Sequence, residues 1–393
     1  MAAGDTNSPE AVQLALGALR KHLGMEVAYI SEFVGDISVF QMVDAPGLES
    51  LIKVGDSRSL DEVYCRHILA GRLPELMPDT ADYALAVSMP ITQAVPIGAH
   101  MSVPIRSPQG DALGMFCCLS PSPNRSLNAR DLQVMRVFAD MAAHHIVTRK
   151  DREKDAADAR DRMSKIIETR AFRCVYQPIR NLSTDRVEGL EALCRFTTVP
   201  GSPDKIFQEA FEVGLGAQLE MAVVDEALAV LAHLPSPIYL SINASPSAVL
   251  SGALPVLLRH FPADRIVLEI TEHASVASYE ELKATLEPLR RSGIRLAIDD
   301  AGAGYASLQH IVTLAPDIIK LDMSLTRAIN LDAARRALAA ALVFFSQETH
   351  SLIIAEGIET EEELETLKGL GVHFGQGYLL GRPSPFVDAF HLD

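Results

Sequence analysis

Four short apolar runs, each ending in charged side chains, limit what this chain can fold into more than any other feature. The first is Ile266, Val267, Leu268, Glu269, Ile270, Thr271, Glu272, and the second is Leu296, Ala297, Ile298, Asp299, Asp300. Ile318, Ile319, Lys320, Leu321, Asp322 and then Leu352, Ile353, Ile354, Ala355, Glu356, Gly357 repeat the form. Runs this short, without polar alternation, read as strands buried on both faces. Charged groups are costly to bury unless they are paired, hydrogen-bonded or metal-bound, so each strand is expected to carry chemistry at its end.

From about residue 170 strand-like and helix-like segments alternate to the C-terminus. Strands are predicted at Cys174 to Ile179, Val187 to Cys194, Ile238 to Ile242, Ile266 to Ile270, Arg295 to Ile298, Ile318 to Leu321, Leu352 to Ala355 and Phe374 to Tyr378. Gln218 to Ala232 and Tyr279 to Ser292 read as helices between them. Eight strands in about 220 residues fit a closed α/β barrel of the TIM-like (β/α)8 kind better than an open doubly wound sheet. The first 145 residues differ. A helix over 10–24, strands at Val27 to Phe33, Val39 to Val43, His100 to Arg106 and Leu113 to Leu119, and a turn at Ser107 to Gly110 predict an α+β domain with a central antiparallel sheet. Leu132, Met135, Phe138 and Met141 then recur at helical spacing. Thr148 to Arg162 is dense in both charges and free of Pro and Gly, which favours an exposed helix that connects the halves or joins two copies. The expected division is a first domain over 1–147, a helical linker over 148–165 and a barrel over 166–393.

Composition excludes several classes. A formal net charge of -16 argues against a protein that coats a nucleic-acid polymer, although a small phosphorylated substrate is allowed where metal ions supply positive charge. Five cysteines without paired spacing fit a reducing compartment. No run of 18 apolar residues occurs, and Met1 to Glu10 is polar and acidic, so a cytoplasmic protein without membrane insertion is expected.

Polar residues at the predicted strand ends are Glu191, Asn243, Glu269 with Glu272, Asp299 with Asp300, Lys320 with Asp322, Glu356 with Glu359, and Gln376. In a barrel these ends converge on one rim. Hard oxygen ligands suit Mg2+ or Mn2+ rather than zinc. Two such ions about 4 Å apart can activate a water and orient a phosphodiester. Asp299 is then the residue placed to bridge them, with Asp300 completing the second site. Lys320 would orient water or a phosphoryl oxygen, or else serve as a buried ion pair. A magnesium-dependent lyase acting on a carboxylate shares these residue types and stays open.

An ordered set of motifs adds to this reading. Gln177, Pro178, Ile179 precedes the triplet Glu191, Ala192, Leu193 with Arg195. Asn243, Glu269 to Glu272, Asp299 with Asp300, Lys320 to Asp322, Ala355 to Glu359 and Gly375 to Tyr378 follow. From about 170 to 390 the chain thereby resembles the EAL family of cyclic di-GMP phosphodiesterases. The resemblance implies a barrel with an antiparallel first strand and metal-dependent hydrolysis of cyclic di-GMP to linear pGpG; the charged connecting helix adds the expectation of a homodimer regulated by the first domain, with halves that are merely tethered as the alternative. It implies that Glu191, Asn243, Glu269 and Asp299 hold one metal and Asp299, Asp300 and Glu356 a second, with Lys320 on the catalytic water. Lys320, Glu191, Asp299, Asp300 and Glu356 form the implied catalytic set. Gln177, Leu193, Arg195, Asp322 and Gln376 are the implied substrate contacts, and Glu272 and Glu359 steady the loop after the double aspartate. That loop departs from the family, with Ala301 and Ala303 where an aromatic and a hydroxyl are usual, and a receptor with weak or no turnover is the alternative. Tyr64, Cys65, His67, Arg72, Leu73, Pro74, Pro78 and Asp79 resemble a GAF sensory domain without fixing its ligand; Cys65 and His67 read as packing and structural groups.

Overall fold

A computed structural model describes residues 9–270, 278–301 and 305–389. The chain divides into two compact units, Met1–Asp155 and Ala156–Asp393.

The first unit is built on a six-stranded antiparallel sheet of β1 (Val27–Val34), β2 (Ile37–Asp44), β3 (Ser57–Ser59), β4 (Leu76–Met77), β5 (Ala99–Arg106) and β6 (Ala112–Ser120), in the order β3-β2-β1-β6-β5-β4. Side chains alternate across a strand, and the two faces feed separate cores. Val27, Tyr29, Met115 and Cys117 face one core, while Ala28, Ile30, Phe116 and Cys118 face the other. Helix Pro9–His22 covers the second face with Val12, Leu16 and Leu19, together with Met135, Ala139, Ala142 and Ile146 of helix Ala129–Thr169. Met141, the last of the residues that recur at helical spacing, is 38% exposed. The stripe instead runs over Ala139, Ala142 and Ala143, whose small side chains let the helix lie close to the sheet. β3 and β4 went unpredicted because two or three residues carry no readable periodicity.

Helix Ala129–Thr169 is continuous over 41 residues. Within the first unit Arg149 and Lys150 both pair with the buried carboxylate of Glu32, the latter at 2.6 Å. Within the second, Met163 and Ile166 pack with Phe172 and Leu219.

The second unit is a closed barrel of β7 (Phe172–Asn181), β8 (Val187–Phe196), β9 (Tyr239–Ala244), β10 (Ile266–Ile270), β11 (Arg295–Ala301), β12 (Ile318–Leu321), β13 (Leu352–Ala355) and β14 (Phe374–Gly375). β7 runs antiparallel to both β8 and β14, and the other pairings are parallel. β14 is shorter than predicted. Gly377 turns the chain against Ile358, where an added Cβ would lie 2.1 Å from the Ile358 carbonyl oxygen. Leu240, Ile242, Leu268, Ile270, Ile298 and Ile319 are almost fully buried, as expected for parallel strands covered by helices. Among the described residues no helix is long and apolar enough to cross a membrane.

Candidate active site

Because the parallel strands share one direction, their C-terminal ends bring Asn243, Glu269, Asp299, Asp300, Lys320, Glu356 and Gln376 to one rim. Register brings in two more. Gln177 stands opposite Glu191 in the β7–β8 pair, and Asn243 stands beside Glu269 in the β9–β10 pair.

Lys320 is the centre. It is fully buried, and its Nζ lies 2.6 Å from Glu356 Oε1, 2.8 Å from Glu269 Oε2, 3.3 Å from Asp299 Oδ1 and 3.5 Å from Glu191 Oε1. Burial pulls its pKa down, but the carboxylates of Asp299, Glu191, Glu269 and Glu356 outweigh that and hold it well above the usual lysine range. The ammonium therefore stays charged. Burial raises Glu269 to about 8, against the pull of Lys320 and with repulsion from Glu191 and Asp299. Burial also raises Glu356 well above the carboxylate range, again against Lys320.

β11 breaks its ladder with β12 between Ile298 and Ala301. At that irregularity Asp300 takes a left-handed conformation, φ 56°, which Asp tolerates better than most residues. Neighbouring residues of a regular strand point to opposite faces, and the irregularity lifts this restriction. Ligand oxygens of Asp299, Asp300 and Glu356 consequently lie within 4.8 Å of one another. Among the described residues Glu191, Glu269 and Asp299 form no second group of this kind; the Lys320 ammonium stands among them. Five carboxyl groups share one ammonium in a mostly buried basin, an excess of acid groups that pushes Glu269 and Glu356 up, so that they hold protons until a further cation displaces them. An all-oxygen donor set with that excess fits Mg2+ or Mn2+.

Around the basin Gln376 Nε2 donates to Glu191 Oε2 at 2.5 Å and to Gln177 Oε1 at 2.9 Å, while Gln177 Nε2 donates to the Gly381 carbonyl at 3.0 Å. Asn243 Nδ2 donates to Glu191 Oε1 at 3.3 Å. Ser241, which sequence reading passed over, donates its hydroxyl to Glu269 Oε1. The signal was present: Ser241 lies two residues before Asn243, on the same side of a buried strand. A cleft with about 730 Å³ of empty space opens over the rim, lined by Gln177, Glu191, Leu193, Asp299, Glu356 and Gln376 among others. Tyr378, at its edge, is 52% exposed and carries the Arg382 guanidinium 4.1 Å above its ring.

Other candidates stand apart. Arg195 does not line the cleft, and its Nη1 donates to the Cys194 carbonyl. Asp322 does not line it either, and caps helix Met323–Thr326 by accepting from the Ser324 amide. Glu359 lines it and pairs with Arg327, with Nη2 2.9 Å from Oε1. Glu272 and Ala303 lie outside the described residues. Ala301 is fully buried and pairs with Leu321.

Against known proteins, the EAL domain family matches residues 160–383 and the GAF domain family matches residues 8–146. The cyclic di-GMP phosphodiesterase PdeF of Escherichia coli is 29% identical over 251 residues, 61% of this chain and 33% of that protein. The chain thus spans about a third of that relative's length. A manganese and cyclic di-GMP complex of Klebsiella pneumoniae BlrP1 is 31% identical with a TM-score of 0.50, over 55% of this chain and 56% of that one. The EAL enzyme Bd1971, solved with cAMP and cyclic di-GMP bound, aligns over 93% of this chain and 92% of its own at a TM-score of 0.57. At 18% identity that likeness concerns the fold alone. The chain belongs to the EAL domain family and carries a GAF-like domain ahead of its barrel.

Proposed function

We propose that this EAL domain protein hydrolyses cyclic di-GMP to linear pGpG with Mg2+ or Mn2+, two ions per site, under control of its GAF domain. One observation carries the reading: a charged lysine lies among Glu191, Glu269, Asp299 and Glu356, at the same rim where Asp299, Asp300 and Glu356 converge. The resemblance assigns one ion to Glu191, Asn243, Glu269 and Asp299, and the other to Asp299, Asp300 and Glu356. When bound, the ions would supply a water of lowered pKa and offset phosphate charge.

The chain's own residues do the rest. Lys320 can donate to a water or phosphoryl oxygen only by exchanging one of its carboxylate partners, and its raised pKa keeps the proton on Nζ while it does so. Gln376 fixes Glu191, and Asn243 holds the other oxygen of that carboxylate. In the proposed exchange a water oxygen bonds to one phosphorus, the bond from that phosphorus to a ribose oxygen breaks, and the departing oxygen gains a proton. Leu193 offers apolar surface in the cleft, and the exposed Tyr378 ring offers a face for a guanine.

Purified protein incubated with cyclic di-GMP and either metal should yield pGpG on chromatography, and none in EDTA. No product with either metal overturns the reading, and tight binding in EDTA beside that result would establish a receptor instead. The proposed homodimer draws support from Val134, Val137 and Met141, exposed at i, i+3 and i+7 on helix Ala129–Thr169. Sedimentation of wild type against a Val137→Glu variant tests it, with loss of dimer expected.

A further inference from the structure

Two cysteines face each other across the first hairpin of the barrel. Cys174 on β7 and Cys194 on β8 are register partners, so the pleat puts both side chains on the same face. Backbone hydrogen bonds fix the kind of pair. The Thr197 amide donates to the Ala171 carbonyl, which makes those two residues a hydrogen-bonded pair, and such pairs alternate along an antiparallel ladder. Tyr176 agrees with that count, because its amide and its carbonyl both bond to Ser384, away from β8. The register runs unbroken from Phe172 to Ile179, so Cys174 and Cys194 form a non-hydrogen-bonded pair. Side chains stand closest in such pairs, with Cα atoms about 4.5 Å apart, inside the range that a disulfide spans.

Neither thiol is strongly held. Both are free, and Cys174 Sγ donates to the Val223 carbonyl of helix Gly216–Leu228 at 3.8 Å, a weak bond. Cys174 is half-buried and Cys194 is 9% exposed, so Cys174 is the sulfur that a small reagent reaches first. Burial pushes both thiols up to about 12, which leaves few thiolates at neutral pH and protects the pair from weak oxidants. Their position ties them to two other parts of the barrel. Gln177 and Glu191, which share the Gln376 amide at the rim, are the register pair three steps along the same hairpin. Cys194 also belongs to the cluster in which Met163 and Ile166 of helix Ala129–Thr169 pack with Phe172 and Leu219.

We propose that Cys174 and Cys194 are an oxidative modification site: a small hydroperoxide joins them in a cross-strand disulfide that clamps the β7–β8 hairpin, and a thiol reductant releases it. The Cys174 thiolate attacks one peroxide oxygen; an S–O bond forms, the O–O bond breaks, and hydroxide leaves to take up the proton that the thiol gave off. The Cys194 sulfur then attacks the sulfenic sulfur, the S–S bond forms as the S–O bond breaks, and the departing oxygen leaves as water with the Cys194 proton. Two thiols lose two electrons in all, and hydrogen peroxide becomes two waters. The site does not depend on hydrolysis at the rim, so failure of that reading would leave this one untouched.

The test treats the whole chain with hydrogen peroxide, blocks the remaining thiols under unfolding conditions, and digests without reductant for mass spectrometry. A cross-linked pair of peptides holding Cys174 and Cys194 is expected from protein that stays monomer-sized on a non-reducing denaturing gel, and dithiothreitol should return the two peptides separately. The link should appear roughly tenfold faster per pH unit from 7 to 9, as thiolate becomes available. Amide exchange in β7 and β8 should slow roughly tenfold or more, since the bond limits how far the hairpin opens. Cys174→Ser and Cys194→Ala should each lose both the link and the slowing, with circular dichroism confirming their fold; where a variant does not fold, the wild-type peptide map decides. Both cysteines open to blocking after peroxide, either one linked to a different cysteine or a different copy, or Cys174 carried on to a sulfinic acid would overturn the site. A linking rate that ignores pH would overturn the thiolate step, and exchange unchanged by the link would overturn the clamp.

Discussion

The barrel rim and a cavity of the first unit each bury a basic side chain, and they leave it in opposite charge states. Lys320 is fully buried and keeps its proton because four carboxylates surround it. His100, in that cavity of the first unit, lined by Val27, Phe40, Ile97 and Leu119 among others, is 3% exposed and loses its proton because burial is unopposed: among the described residues no carboxylate lines the cavity. Burial alone disfavours the charge in both. What differs is the neighbours: carboxyl groups crowd Lys320, and the wall around His100 is mainly apolar.

The most severe break in this comparison is Lys320→Ala. It leaves the rim carboxylates without their shared cation, and removing one partner of a buried ion cluster costs about 3–5 kcal/mol. Metal-free Lys320→Ala should lose that much protection from hydrogen exchange in β10 to β13, and added Mg2+ should recover part of it. On the proposed mechanism turnover of cyclic di-GMP should fall at least a hundredfold, since the assigned donor to the reacting oxygens is gone. Wild-type turnover would take Lys320 out of the chemistry.

At His100 the sign is reversed. Its pKa falls from 6.5 when unfolded to about 3 when folded, so between those values the unfolded chain binds more protons. Stability of the first unit should hold above pH 6.5 and fall as pH drops through the window, by roughly 1 kcal/mol per pH unit. The polar groups lining the cavity with His100 are Tyr29, Tyr64, Cys65 and Arg58, and among the described residues no carboxylate joins them to oppose the loss. Exchange protection of β5, corrected for the intrinsic rate, should decline from pH 6.5 to 5 in wild type and decline less in His100→Phe. Parallel profiles would show that His100 finds a partner when charged.

Sequence made the rim legible and left the cavity unread, for a physical reason. Apolar runs ending in Glu269, Asp299, Lys320 and Glu356 announce themselves because parallel strands are buried on both faces and charge stands out at their ends. Even there the reading stopped at the residue types. It did not show that Lys320 pairs with four carboxylates at once, nor that an irregularity at Asp300 lets neighbouring aspartates converge. Ser241 was missed because a serine in an apolar run carries no charge to mark it. In the first unit the cavity is assembled from β1, β2, β5, β6, two short helices and several loops, so its residues share no period. His100 was read only as the start of a strand, and that its Nδ1 has no hydrogen-bond partner among the described residues became visible once the chain had closed around it.

Gln376→Ala probes the rim at lower cost. It removes the donor to Glu191 Oε2 and to Gln177 Oε1, and a hydrogen bond to a charged group is worth about 1.5–3 kcal/mol. Turnover should fall roughly tenfold through a misplaced Glu191. Gln177→Ala should have a smaller effect, because Gln177, although opposite Glu191 in the β7–β8 pair, is joined to it through the Gln376 amide, which donates to both. The reverse order would mean that Gln177 acts on the substrate directly.

The smallest effect should come from the ion pair at the outer edge of the same rim. Arg327 and Glu359 meet at 2.9 Å, close to the Lys320–Glu356 separation, yet their side chains are 54% and 37% exposed. Water screens such a pair, so its coupling should be between about 0.2 and 1 kcal/mol, whereas Lys320 with Glu356 should couple by several. Double-mutant cycles on both pairs, read as exchange protection in the barrel strands without metal, compare them directly. A coupling for Arg327 and Glu359 that rises sharply in Mg2+ would show Glu359 steadying the metal-binding aspartates, the role its place in the family motif implies. A small coupling that is indifferent to Mg2+ would leave it as a surface pair, and distance alone would then say little about an ion pair beside how much of it water can reach.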